Sequence, residues 1–125
     1  MTYKSEIGKF GEDFACEYLV EKGYKIIERN FRKPYGELDI IIMAPDKTLV
    51  FIEVKTVRGV KQQTSDTISA EEQLTMAKLK KLQKTASLYA NHRIELINDK
   101  KGWRIDLLAL TIIDKSVLVN HYENI

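Results

Sequence analysis

The chain has 125 residues, 44% hydrophobic and 30% charged, with a formal net charge of +2; this fits one domain over residues 1–125 and argues against disordered, collagen-like and disulfide-scaffold classes. The single cysteine, Cys16, allows no intramolecular disulfide, and His92 and His121 make no zinc-type cluster. No apolar run approaches the roughly 18 residues of a bilayer span or follows the N-terminus as in a signal peptide, so the expectation is a cytoplasmic protein without a membrane partner.

Across residues 5–22, Ile7, Phe10, Phe14 and Tyr18 recur at helical spacing with Ala15 and Leu19 one step round, predicting an amphipathic helix with Ser5 as N-cap and Gly23 as left-handed C-cap. Cys16 lies inside it as an inert small apolar residue. Residues 24–30 read as a strand, Pro34-Tyr35-Gly36 as a break, and residues 37–44 and 48–55 as a hairpin around Pro45-Asp46-Lys47. Residues 56–68 keep neither period and predict a long, moving loop of the kind that carries function. A capping box at Ser69-Ala70-Glu71-Glu72 opens a second helix, with Thr75 as the alternative start and Leu74, Leu79, Leu82, Ala86 and Tyr89 inward. A weak strand over 94–97, a turn over 98–102, a strand over 103–112 opened by the packing anchor Trp103, and a closing strand over 117–122 complete an αβββα, then β-rich, order.

The chemistry concentrates in the hairpin. Alternation puts Phe51, Glu53 and Lys55 on one strand face and Val50, Ile52 and Val54 on the other. Both faces are otherwise apolar, the pattern of a strand covered on two sides, where an ionised carboxylate needs a cation, a metal or strong hydrogen bonds. Asp39, within Leu38-Asp39-Ile40-Ile41-Ile42, has the same need. With Pro45-Asp46-Lys47 as a three-residue loop, parity sets Asp39 directly opposite Glu53. Two carboxylates so placed repel unless something positive lies between them, and oxygen donors without imidazole or thiolate suit Mg²⁺, with Mn²⁺ as substitute. Lys55 beside such an ion would orient or activate a water and offset charge on a phosphoryl group. The triplet alone is weak evidence, since acid-x-Lys recurs at Asp99-Lys100-Lys101 in a turn, and an exposed cross-strand salt bridge is the competing reading.

Further residues extend the pattern: Gly8-Lys9-Phe10-Gly11-Glu12 in the first helix, Gly23-Tyr24 at its end, Arg29-Asn30, Gly36-Glu37-Leu38-Asp39, Phe51-Ile52-Glu53-Val54-Lys55, Lys78 in the second helix and Trp103-Arg104-Ile105-Asp106. Together they resemble, nearly end to end, the YraN family of small predicted endonucleases within the PD-(D/E)xK, or restriction-endonuclease-like, superfamily, which is distantly similar to archaeal Holliday-junction resolvases. The resemblance implies an α/β fold with a restriction-endonuclease-like αβββαβ core, a mixed central sheet flanked by helices, and metal-dependent phosphodiester cleavage. It implies Asp39 and Glu53 as metal ligands, Lys55 as the catalytic lysine and Glu12 as the additional acid of the resolvase-like branch, binding the metal directly or through water. From the residues alone, Glu12 lies about 40° from the centre of the helical stripe, so it reads either as reaching inward or as a solvent-border side chain. Glu37 shares the Asp39 face, as a third ligand or a helper to the turn. Two departures stand out: Val57, followed by Arg58, occupies the place where the family carries Arg, and Leu38 the place of the Pro in the superfamily name.

The leading expectation is therefore a Mg²⁺-dependent endonuclease acting on nucleic acid, with DNA and branched repair or recombination intermediates the substrates that the resemblance implies. Residues 56–93 carry 7 basic and 3 acidic side chains, and Arg58, Lys78 and Lys81 are the candidate phosphate contacts, Lys78 and Lys81 sharing a helix face. A solvated lysine face is the plainer reading of the same residues. Cutting both strands of a branched substrate would call for a homodimer. The alternative is a non-catalytic nucleic-acid-binding module that retained the fold. A purely structural partner protein is a third reading, with Tyr3, Trp103 and Tyr122 as its aromatics, which read mostly as core.

Overall fold

The computed structural model describes residues 3–59 and 74–125, the side chains of residues 3–5 excepted. The expected capping box at Ser69 and most of the expected loop over 56–68 lie outside the described residues. The elements are α1 (Tyr3–Glu21), β1 (Lys25–Lys33), β2 (Gly36–Met43), β3 (Leu49–Arg58), α2 (Met76–His92), a single 3-10 turn (Ile94–Leu96), β4 (Trp103–Ile113) and β5 (Ser116–Tyr122). The strands form one sheet in the order β1-β2-β3-β4-β5. All neighbours are antiparallel except β3 and β4, and that parallel pair requires a crossover, in which α2 lies.

Each helix covers one face of the sheet. Ala15, Cys16 and Leu19 of α1 pack with Ile40, Ile42, Val50, Ile52, Leu108 and Leu110, while Leu82, Ala86, Tyr89 and Ala90 of α2 pack with Ile41, Leu49, Phe51 and Ile105. Double coverage explains why β2, β3 and β4 read as continuous apolar runs. On the α2 face an aromatic chain carries the packing: Phe31 to Tyr89, Tyr89 to Phe51, and Phe51 to Trp103, all edge-on at 5.1, 5.7 and 5.5 Å. The architecture is α/β and of the restriction-endonuclease-like type, and among the described residues no helix is long and apolar enough to cross a membrane.

Local chemistry fixes the register that matters. Ala44 N donates to Thr48 O at 2.9 Å, Lys47 N donates to Ala44 O, and Asp46 Oδ1 accepts from Thr48 N at 3.0 Å. Lys47 adopts φ +75°, so Pro45-Asp46-Lys47 is a three-residue loop ending in a left-handed residue. The pairing then runs from Met43 opposite Leu49 to Ile40 opposite Ile52. Gly23, at φ +94°, closes α1, with Tyr24 N donating to Leu19 O at 3.0 Å.

Two expectations change. Residues 56–58, expected in a loop, extend β3, because its parallel register with β4 pairs Thr56 with Leu110 and Arg58 with Ile112; a ladder partner so far along the chain leaves no local period. Residues 94–97, expected as a weak strand, form a 3-10 turn in which Leu96 N donates to Arg93 O and Ile97 N to Ile94 O. The described start of α2 is the expected alternative, Thr75, whose hydroxyl accepts from Lys78 N at 3.1 Å.

Two close approaches set the helices on the sheet. A Cβ on Gly11 of α1 would overlap Thr56 Oγ1 of β3, and one on Gly36 of β2 would overlap Thr85 Oγ1 of α2. Both contacts lie at the end of the sheet where β2 begins and β3 ends.

On the α1 face, Asp106 is fully buried. It accepts from Arg104 Nε at 2.9 Å, Arg104 Nη2 at 3.3 Å, Asn124 N at 2.9 Å and His121 Nε2 at 2.8 Å. Burial raises its pKa, but the bonds from His121, Arg104 and Asn124 outweigh that and hold it below 3.8.

Two stability predictions follow from these contacts. Asp106→Ala should cost about 3–5 kcal/mol in urea unfolding, because it empties a fully buried site and takes the partner from a half-buried guanidinium and imidazole; a loss below about 1 kcal/mol would show that the network is dispensable. Asp106 stabilises the fold above its unfolded pKa, and that contribution disappears as pH falls through the lower folded value, so the variant should lack this acid slope. Gly36→Ala should cost about 1–3 kcal/mol, and Thr85→Ala in the same chain should restore part of it; equal thermal stabilities for Gly36→Ala with and without Thr85→Ala would place the strain elsewhere.

Candidate active site

The end of the sheet bracketed by Gly11 and Gly36 opens into a groove of about 860 Å³ between the first half of α1, the β1–β2 turn, the end of β3 and the first turns of α2. All seven residues singled out in the sequence, Glu12, Asp39, Glu53, Lys55, Arg58, Lys78 and Lys81, line it. One further step of the β2–β3 register sets Asp39 opposite Glu53. Asp39 Oδ2 accepts from Val54 N at 2.9 Å, which ties the acid of one strand to the backbone of the other.

Glu53 is buried at 6% exposure. Lys78 Nζ lies 3.0 Å from Glu53 Oε1, and Lys55 Nζ lies 3.7 Å from the same atom. The sequence set Lys78 beside Lys81 as a phosphate contact; instead its ammonium points into the acidic centre. A signal for this exists, because Lys78, Leu82, Thr85 and Tyr89 repeat at i, i+4, i+7, i+11 and Lys78 continues the inward stripe of α2. Lys81 and Arg58 are exposed at the groove wall. Glu37 pairs across the strands with Arg32 at 2.8 Å and is exposed, which makes it a rim residue. Beside Glu12, Asp13 of α1 pairs with Arg29 of β1 at 2.7 Å.

The electrostatics follow from crowding carboxylates in a half-dry groove. Burial, then repulsion from Glu53, pushes Asp39 up to about 7 against the lowering effect of the Val54 N–H. Burial raises Glu12 as well, with Arg29 and Arg32 opposing and Glu53 adding repulsion. Lys55 is lowered by burial and by its hydrogen bond to Lys78. For Lys78, burial lowers the pKa, but hydrogen bonds to Lys55 and Glu53 and the pull of Glu53 and Asp39 outweigh it, so the net direction is up.

This donor set fits a hard divalent cation. Its ligands are carboxylate oxygens, the Glu53 charge helps to raise the pKa of both Asp39 and Glu12, and a side-chain ammonium already sits against Glu53 where positive charge is favoured. Asp39 and Glu53 would hold such an ion, with Glu12 acting through water, because these three carboxylates do not form a group whose ligand atoms lie within 4.8 Å of one another. Among the described residues the trio that does is Asp106, His121 and Glu123, which sequence spacing did not reveal. There Asp106 already accepts four hydrogen bonds, two of them from the Arg104 guanidinium, so its lone pairs are spent on the fold.

Residues 11–110 match the model of the family described as Uncharacterised protein family UPF0102. A UPF0102 protein of Syntrophomonas wolfei is 37% identical over 119 residues, covering 95% of this chain and 96% of its own. One from Thermodesulfovibrio yellowstonii is 40% identical over 121 residues (95% and 94%), and one from Corynebacterium efficiens is 34% identical over 129 residues (99% and 94%).

The raised pKa of Asp39 generates a prediction. Between the unfolded value of 3.8 and about 7, the folded chain keeps a proton that the unfolded chain has lost, so without divalent ion stability falls as pH rises through that window. Thermal melts should show the midpoint dropping by several degrees from pH 5 to pH 7.5, with Asp39→Asn flattening the slope and Mg²⁺ or Mn²⁺ recovering the loss in the wild type alone. A slope that persists in Asp39→Asn would assign it to another group.

Proposed function

We propose that this chain, which belongs to the UPF0102 family, is a metal-dependent endonuclease of the PD-(D/E)xK type that hydrolyses phosphodiester bonds in nucleic acid, with DNA and its branched intermediates as preferred substrates. The observation that carries the reading is Asp39 and Glu53 facing each other at the end of the β2–β3 pairing, next after Ile40 opposite Ile52, with Lys55 two residues further along β3 in the same groove. This supplies two oxygen ligands and an amine on one rigid face, and rigid elements position reacting groups better than loops do.

Asp39 and Glu53 hold the ion, and Glu12 orients its water shell. The bound Mg²⁺ or Mn²⁺ supplies positive charge for the phosphoryl oxygens and makes the attacking water more acidic. Lys55, half-buried and with a lowered pKa, orients that water and takes part in moving its proton. Lys81 and Arg58 at the groove wall bind backbone phosphates, which gives salt-sensitive affinity without sequence readout.

A second reading, a nucleic-acid-binding module without catalysis, draws on the Lys78–Glu53 ion pair, which offsets the buried charge without a metal. Cleavage of a labelled panel separates the two: single-stranded, duplex, flap and four-way-junction DNA plus RNA, each with Mg²⁺, Mn²⁺ or EDTA. The wild type should cut with metal and not with EDTA, and Lys55→Ala should lower the rate by about 10²-fold or more. Structure-selective binding without cutting, unchanged in Asp39→Ala, would replace the enzyme by the binding module.

A further inference from the structure

The placement of Lys78 goes beyond a lysine that contacts phosphate. Its ammonium lies 3.0 Å from Glu53 Oε1, closer than that of Lys55 at 3.7 Å. Its backbone is pinned in the first turn of α2 by the Thr75 cap, and the Gly36–Thr85 contact seats that helix on β2. The Lys78 side chain is nevertheless 39% exposed, against 22% for Lys55 and 7% for Glu53. Lys55 rises from a strand paired on β4, whereas Lys78 is a four-carbon tether on a helix, free to turn its end group into the groove without moving backbone.

We infer that Lys78 is a tethered counter-cation of the carboxylate pair: it competes with a divalent ion for Glu53 and, once displaced, turns into the groove to meet the scissile phosphate. This rests on the metal-dependent reading of the site. The argument is one of exclusion by charge. Mg²⁺ takes carboxylate oxygens at about 2.0–2.1 Å, and an ammonium 3.0 Å from the same oxygen would face a double positive charge in a half-buried groove where screening is weak. The ammonium yields because its stem can rotate and because the groove offers another anion, the substrate phosphate, whose charge it then helps to offset. Lys78 would thereby hold the Glu53 carboxylate inward before metal binds and couple metal entry to the capture of substrate.

The test measures Mn²⁺ binding by calorimetry and by the electron paramagnetic resonance of free Mn²⁺, on the full chain without nucleic acid. Lys78→Gln should bind Mn²⁺ about tenfold more tightly than wild type, the size of an ordinary antagonistic coupling, while Lys78→Arg, which keeps the charge, should stay near or below wild type. In parallel, acylation of surface amines read by mass spectrometry should show Lys78 in the wild type becoming several-fold more reactive on adding Mn²⁺, with Lys84 as unchanged reference. Unchanged or weaker Mn²⁺ binding by a folded Lys78→Gln, or Lys78 reactivity that does not respond to Mn²⁺, overturns the inference; should Lys78→Gln fail to fold, the wild-type acylation result decides. Asp39→Asn and Glu53→Gln separate the two levels. If they weaken Mn²⁺ binding while Lys78→Gln does not strengthen it, the metal centre stands and only the role of Lys78 falls; if they leave it unchanged, both fall.

Discussion

The structure turns on a carboxylate pair placed where a sheet is covered on both faces. Asp39 and Glu53 sit on neighbouring strands whose other residues make two apolar cores, and desolvation there penalises every uncompensated charge. The remaining local features offset that penalty. The Val54 N–H meets Asp39, Lys55 and Lys78 converge on Glu53, and the three-residue turn at Pro45-Asp46-Lys47 locks the register that makes the two acids face each other. A slip of one residue would send one acid into the α1 core and dissolve the arrangement.

Two buried acidic clusters in the same fold show what such a pair requires. Asp106 is surrounded by donors, its pKa is lowered, and its hydrogen bonds fasten β5 and the backbone at Asn124 onto β4. Asp39 has one backbone donor and a facing carboxylate, and its pKa rises to about 7. The first cluster is saturated and serves stability; in the second the two lysines meet Glu53 rather than Asp39, and the groove gives it solvent access. An acid in a fold is a candidate for chemistry when its neighbours leave it in want of a cation, and that criterion separates the two without reference to sequence motifs.

The sheet and its hairpin were legible in the sequence because their signals are local: alternating or continuous apolar runs, a Pro-Asp-Lys turn, and a parity rule that converts turn length into facing side chains. The body of α1 and its Gly23 cap were equally local, although Ser5, expected as the N-cap, lies inside a helix that already runs from Tyr3. What escaped depends on partners far along the chain. Residues 56–58 became strand through pairing with residues 110–112 of β4, and residues 94–97 turned into a 3-10 segment where no neighbour offered a ladder. The union of Arg104, Asp106 and His121 joins β4 to β5 across 15 residues with no spacing rule. The role of Lys78 was half legible, since its place on the α2 stripe is periodic but its partner, Glu53, belongs to another element.

Under the proposed function, the groove's balance of charge would tie metal to substrate. Among the described residues, four carboxylates, Glu12, Glu37, Asp39 and Glu53, and five cationic side chains, Lys33, Lys55, Arg58, Lys78 and Lys81, line it, a nearly even balance that gives these residues little net attraction for a polyanion. A divalent ion between Asp39 and Glu53 shifts that balance by two charges and leaves the peripheral lysines and arginine to act on phosphate. Under the proposed function, the overall charge of only +2, which argues against an avid binder, fits a centre whose affinity for nucleic acid would arise where and when the ion is held.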